Sequence, residues 1–144
     1  MTLNEENLLA CAQSSESSVI SQRHGDYSGS HPVYDLRTGR RLNLLAQLRP
    51  GARLALRREI TRQARLDTAY APARYLGKHE LLPLPEQGFA VTPAGWEAFY
   101  ETTPEDLPYY SFNASISWAA LRPLLRPGTP FNRLLQVRGL RPVN

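Results

Sequence analysis

Apolar and polar residues alternate along residues 32–48, which read PVYDLRTGRRLNLLAQL. A period of two is typical of a strand with one buried face, so "PVYDL" and "RRLNLLAQL" are predicted to be paired strands. The alternation places four apolar side chains on one face: Tyr34, Leu36, Leu42 and Leu44. Between the strands, Asp35 and Thr38 can accept hydrogen bonds from backbone amides, and Gly39 can supply the positive φ of a short hairpin loop. We therefore interpret Asp35, Thr38 and Gly39 as structural turn residues.

A helical pattern follows in residues 49–72, RPGARLALRREITRQARLDTAYAP. Pro50 lies near the first helical position, where its missing amide costs nothing. A stripe that repeats every four residues predicts the buried face, which comprises Ala52, Leu56, Ile60 and Ala64 with Leu54 and Leu66 beside them. Pro72 is predicted to end this helix.

The rest of the chain predicts further strands and one short helix. "NLLACA" and "SSVISQ" are short strand patterns, and "GFAVTPAGWEAFYE" is a second hairpin around the turn "TPAG". "SISW" is strand-like, and "WAALRPLLRPG" predicts a short helix that ends at Pro127 and Gly128. This order predicts a single α+β domain over residues 1–144, with an antiparallel sheet built from hairpins and one long and one short helix on one face.

Charge is segmented along the chain, whose formal net charge is +4 at pH 7. Residues 35–78 carry ten arginines and one lysine against three acidic residues. Residues 79–121 carry six acidic residues and no lysine or arginine, and the last 23 residues carry five arginines and no acidic residue. Either these blocks neutralise each other across the fold, or one of them faces a charged partner.

Composition also narrows the compartment and the class of protein. The only cysteine is Cys11, so no intramolecular disulfide can form. Apolar runs are only a few residues long, so no membrane-spanning segment is expected. The start "MTLNEENLLA" has two glutamates and no basic residue, which predicts no secretory signal, and Met1 could be an internal start in a longer protein.

The segment "HGDYSGSHP" contains side chains that could carry chemistry. They are His24, Asp26, Ser28, Ser30 and His31. A metal site would need a third ligand at a recognisable spacing, and a small hydrolase centred on His24, Ser28 and His31 would need the glycine placement of a nucleophile elbow. The sequence shows neither, so we favour a hairpin turn, with Gly29 at positive φ and His31 packed beside Tyr27.

Three stretches together resemble the RsiV-like C-terminal domain, over about residues 15–135. They are "YDLRTGRRLNL", "GFAVTPAGWEAFYE" and "ISWAALRPLLRPGTPFNRLL". That family occurs in lysozyme-sensing anti-sigma factors, peptidoglycan deacetylase accessory regions and secreted bacterial proteins. The resemblance implies an α+β fold and a non-catalytic module of the bacterial envelope, periplasmic or extracellular, that binds a protein such as lysozyme or a cell-wall glycan, without a cofactor or a metal.

Two surfaces compete for the binding role. The first is an acidic-aromatic surface, which comprises Tyr109, Tyr110 and Phe112 with Glu97, Glu101, Glu105 and Asp106. Aromatic anchors inside a charged rim are typical of protein interfaces. The second is the basic face of the long helix, which comprises Arg53, Arg57, Arg58, Arg62 and Arg65. Binding to nucleic acid usually interleaves aromatic and basic residues, and here the aromatic residues lie mostly in the acidic block, so the first surface is favoured.

Overall fold

The described residues of this α+β protein form three antiparallel sheets and three α-helices. The structure is a computed structural model that describes residues 3–11, 13–17, 26–67, 76–85, 88–101 and 111–140, with the backbone alone at 13–17, 26–30 and 101. The strands are β1 Leu3–Glu5, β2 Leu8–Ala10, β3 Gln13–Ser17, β4 Asp26–Ser30, β5 Val33–Asp35, β6 Arg40–Arg41, β7 Phe89–Thr92, β8 Gly95–Glu101 and β9 Ser111–Ser117. The helices are α1 Ala52–Leu66, α2 Trp118–Leu121 and α3 Pro130–Val137.

The first half of the chain forms a four-stranded sheet in the order β1-β2-β5-β6, and a two-stranded pair, β3-β4. Both belong to one interrupted hairpin, because Ala10 lies opposite Val33 and Gln13 lies opposite Ser30 in the same register. The interruption falls at Pro32, which has no amide to donate to a strand ladder. The Cys11 amide still donates to the Pro32 carbonyl at 3.0 Å, so the two parts remain joined.

The predicted turn between β5 and β6 is confirmed. The Arg37 amide donates to Asp35 Oδ1 at 3.0 Å, the Arg40 amide donates to Thr38 Oγ1 at 3.4 Å, and Gly39 has a φ of 65°. The predicted buried face is wrong, since Leu36 is 49% exposed whereas Asp35 is only 6% exposed. The core therefore lies on the Val33 and Asp35 side of β5, where Asp35 pairs with Arg133 of α3. Leu42 and Leu44 of the predicted face are partly buried against this core.

The second predicted strand, "RRLNLLAQL", is a strand only at Arg40–Arg41. Residues Leu44–Gln47 form a 3-10 turn instead. Asn43 begins this turn, because its Oδ1 accepts a hydrogen bond from the Ala46 amide at 3.2 Å. A side-chain cap of this kind ends the strand pattern locally even though the apolar alternation continues.

Helix α1 buries the predicted stripe of Ala52, Leu56, Ile60 and Ala64. It begins after Gly51, whose φ of 79° is left-handed, so Pro50 lies outside the helix. The prediction that Leu54 and Leu66 flank the buried face is wrong, because they are 44% and 70% exposed. The helix ends at Leu66, well before Pro72, which is outside the described residues.

The second hairpin is confirmed, and β9 extends it to a three-stranded sheet, β7-β8-β9. Its register pairs Val91 with Trp96 and Trp96 with Ile116, and all three side chains are buried. Most of the predicted strand "SSVISQ" lies outside the described residues, and β3 precedes it.

Sequence patterns predicted two helices, and the described residues contain three. The short helix α2 ends at Leu121, and a 3-10 turn at Arg122–Leu124 follows it, so the prediction that it continues to Pro127 is wrong. The missed helix is α3, which brings Phe131 against both tryptophans, with ring centroids 5.6 Å from Trp96 and 5.7 Å from Trp118. Among the described helices, none combines the length and apolar character needed to cross a bilayer.

Candidate functional site

A groove of about 400 Å³ opens where the two larger sheets meet. We call it the seam groove, and its lining comprises His31, Arg41, Leu42, Asn43, Leu44, Leu45, Gly88 and Phe89. Ligand pockets in proteins commonly have volumes of about 300–1,000 Å³ and mostly apolar walls. The seam groove therefore has the size and wall chemistry of a site for a small group or a short segment.

His31 lies in the seam groove, immediately before the proline that interrupts the long hairpin. Its ring stacks on Phe99 of β8 with centroids 5.4 Å apart and an angle of 29° between the planes. Its Nδ1 atom is buried, and it has no hydrogen-bond partner among the described residues. Buried polar atoms are normally hydrogen-bonded, so this nitrogen is an exception among the described residues, and the ring of His31 lines the groove through its other atoms.

The rim of the seam groove is cationic. Arg41 lines the groove at the end of β6, and Arg37 and Arg40 come from the same hairpin; all three side chains are exposed. None of the three forms an ion pair with an acidic side chain among the described residues. Asp35, the nearest acidic residue in sequence, pairs instead with Arg133 of α3, with Oδ1 and Nη2 3.3 Å apart. Within the described part of the chain, no acidic side chain compensates the positive charge of Arg41 at the groove.

The walls of the seam groove come from two places in the chain. Leu42, Leu44 and Leu45 are half-buried on one wall, where the Leu42 amide donates to the Val33 carbonyl at 2.7 Å. On the other wall, Phe89 begins β7. Gly88 precedes it with a left-handed φ of 77°. Three leucines and one phenylalanine make the walls apolar.

The side chains predicted to carry chemistry are not brought together at this groove by any described contact. His24 lies outside the described residues, and Asp26, Ser28 and Ser30 are described only as backbone of β4. Gly29 lies inside β4 opposite Ser14, so the predicted turn there is wrong, because the strand pairing continues through it. The described residues hold no group of three or more histidine, cysteine or acidic side chains placed to share a metal ion.

The acidic-aromatic surface is only partly within the described residues. Phe112 is wrong as a docking anchor, because it is 4% exposed and packs on Tyr100 with ring centroids 6.0 Å apart. Glu97 is half-buried in β8, and Glu101 is described only as backbone. Tyr109, Tyr110, Glu105 and Asp106 lie outside the described residues.

The basic face of α1 is largely engaged in internal contacts. Arg57 donates to the carbonyls of Leu81 and Leu82, both at 2.9 Å. Arg65 donates to the carbonyls of Gly77 at 2.9 Å and Glu80 at 3.1 Å. These two arginines hold residues 77–82 against the helix.

Arg62 is the third arginine of this face with an internal partner. It pairs with Glu59, with Nη2 2.7 Å from Oε1, and its hydrogen bonds lower the pKa of the Glu59 carboxyl from 4.5 to about 2. Only Arg53 and Arg58 remain exposed without a hydrogen bond or an ion pair to the described residues. The basic face therefore keeps most of its charge but offers a polyanion fewer free guanidinium donors than the sequence predicts.

Sequence reasoning treated His31 as a turn residue and did not select the other residues of the seam groove as a site. Arg41, Leu45 and Phe89 meet there only because two hairpins pack against each other. One signal was available in the sequence, the three arginines clustered around the turn in "LRTGRR". It indicates a cationic hairpin end but not the apolar groove beside it.

Comparisons with family models, with curated proteins and with solved structures find no match for this chain. The geometry and the lining of the seam groove are therefore the basis for its proposed role.

Proposed function

We propose that this chain is a non-catalytic binding module that recognises a protein partner by taking a short segment of it into the seam groove. The observation that carries this proposal is an open groove of about 400 Å³ that is lined by three leucines and by the exposed Arg41. Apolar walls with a few polar groups are how proteins bind small groups and side chains with orientation. The RsiV-like resemblance implies a binding role of the same kind.

The wall chemistry favours a peptide segment over a cell-wall glycan. The lining offers aliphatic side chains at Leu42, Leu44 and Leu45, and its one phenylalanine, Phe89, is only 2% exposed. Aromatic faces contribute much of the energy where flat rings stack on a protein. A leucine-lined groove suits an aliphatic side chain of a partner better than a sugar ring.

The cationic rim also bears on which protein would bind here. A lysozyme is a basic protein, and like charges placed together across an interface are unfavourable. A lysozyme would therefore bind at the acidic-aromatic surface, in the part of it that lies outside the described residues. At the seam groove we expect an uncharged or acidic segment.

Selection of peptides from a random heptapeptide phage library on the full chain tests the proposal. We expect the selected peptides to share an aliphatic position and to lose affinity for Leu44→Gln, because this substitution makes the groove wall polar. The matched control is Leu54→Gln, which changes an exposed leucine of α1 outside the groove. Near-ultraviolet circular dichroism of the two buried tryptophans checks that both variants are folded.

The comparators are a c-type lysozyme, peptidoglycan fragments and duplex DNA, each titrated at low and physiological salt. Saturable binding of peptidoglycan fragments without any selected peptide would replace protein recognition with glycan recognition. Steeply salt-dependent DNA binding alone would replace it with polyanion binding. No binding by any of these ligands would contradict the binding module itself.

A further inference from the structure

We infer that the seam groove reads a carboxylate beside an aliphatic side chain, so that its occupant is a short acidic peptide segment. This inference rests on the proposed function and adds the charge of the ligand to it. Two features of the groove, the guanidinium of Arg41 and the apolar walls, support it.

The cationic feature is Arg41, the arginine that lines the groove itself. It is exposed, and no acidic side chain among the described residues pairs with it. A guanidinium presents a planar fork of donors that matches a carboxylate in two parallel hydrogen bonds. Arg37 and Arg40 lie on the same hairpin and add positive potential without a described acidic partner to cancel it.

The second feature is the apolar lining beside this guanidinium. Leu42, Leu44, Leu45 and Phe89 line the same groove as Arg41, and the ring of His31, which stacks on Phe99, lies beside them.

The apolar walls place the aliphatic side chain of the ligand next to its charge. Arg41 and Leu42 are consecutive, and Leu44 and Leu45 follow in the 3-10 turn that Asn43 caps. A ligand whose carboxylate binds Arg41 therefore lies in a groove that the same three leucines line. A free carboxylate alone would leave this apolar wall uncovered, and an aliphatic group alone would leave the guanidinium unused.

Calorimetric titration of the full chain with two matched peptides tests the inference. The first is N-acetyl-leucyl-aspartate amide, whose one carboxylate is the aspartyl side chain, and the second is N-acetyl-leucyl-asparagine amide, which has nearly the same shape and no charge. We expect the acidic peptide to bind about tenfold or more tightly, since charge-assisted hydrogen bonds are about twice as strong as neutral ones. We expect Arg41→Gln to remove this difference, and Arg53→Gln, an exposed arginine outside the groove, to leave it unchanged.

Each of the other possible results of this titration contradicts a different part of the proposal. Equal affinity for both peptides, lost in Leu44→Gln, would overturn the reading of charge and leave protein recognition at the groove intact. An equal effect of Arg41→Gln and Arg53→Gln would show that net charge acts without a site. Binding of neither peptide by the folded chain would overturn the inference, and the phage selection would then decide separately whether any peptide is recognised.

Discussion

Asp35 takes part in one local hydrogen bond of a turn and in one ion pair across the fold. Its role in the turn is local, since it accepts a hydrogen bond from an amide two residues ahead, and turn chemistry of this kind is readable from "YDLRTG". Its ion pair with Arg133 joins residues 98 positions apart, and nothing in either local pattern indicates it. His31 shows the same limit, because its stacking partner, Phe99, belongs to the other hairpin.

Glu59 gives a prediction at the scale of one residue. The fold lowers its pKa from 4.5 to about 2, mainly through hydrogen bonds from Arg62. A lowered carboxyl pKa stabilises the fold above its unfolded value, and this contribution is lost as the pH falls from about 5 towards 2. We expect Glu59→Gln to cost about 0.2–1 kcal/mol near neutral pH, the range of exposed pairs, and the difference from the parent protein to shrink with acidification.

Thermal unfolding between pH 2.5 and pH 7 measures this effect, and a double-mutant cycle with Arg62→Gln isolates the pair. In the Arg62→Gln background, the substitution at Glu59 should have a smaller effect near neutral pH. A difference between parent and Glu59→Gln that stays constant over the whole range would contradict the assignment.

Several side chains of α1 form hydrogen bonds to the backbone of other segments. Gln63 is the clearest case, because its amide pairs with the backbone of the edge strand β9 as another strand would. Its Nε2 donates to the Ser115 carbonyl at 2.9 Å, and the Ser115 amide donates to its Oε1 at 3.0 Å. Unpaired strand edges are sites of unwanted association, so this contact also protects β9.

Gln63 Nε2 also donates to Glu59 Oε1 at 2.8 Å, so Gln63→Ala should destabilise the protein by about 1.5–4.5 kcal/mol, the sum of three ordinary hydrogen bonds. Chemical denaturation measures the change in the free energy of unfolding, and sedimentation at rising concentration reports association through the exposed edge. Gln136→Ala is the matched control, because Gln136 is an exposed glutamine on α3. Equal stability of the two variants would show that the Ser115 contact contributes nothing.

Elements with a strong periodic pattern were predictable, and elements defined by packing were not. The stripe of α1 and the hairpin around "TPAG" follow from local sequence, because a helical period fits the first and a strand period of two fits the second. Helix α3 was missed, since it is only eight residues long and its position depends on the two tryptophans it covers. The strand predicted after Arg41 is replaced by a 3-10 turn, because the Asn43 cap overrides the alternation.

In the described residues, two arginines at α3 link the two larger sheets, and the seam groove lies where these sheets meet. Arg133 reaches Asp35 of the first sheet, and Arg138 reaches Glu5 of that sheet at 2.5 Å and the Pro93 carbonyl of the second hairpin. Two arginines of the basic C-terminal block thus have structural roles. The α+β class was predictable at this scale from the order of elements, but the seam groove was not, because its lining comes from residues 31, 41–45 and 88–89.

The most direct test is a crystal structure of the full chain with N-acetyl-leucyl-aspartate amide at a saturating concentration. We predict that the leucyl side chain lies against Leu42, Leu44 and Leu45 and that the aspartyl carboxylate binds the Arg41 guanidinium. A peptide bound elsewhere, with the seam groove unoccupied, would contradict the claim that this groove is the recognition site.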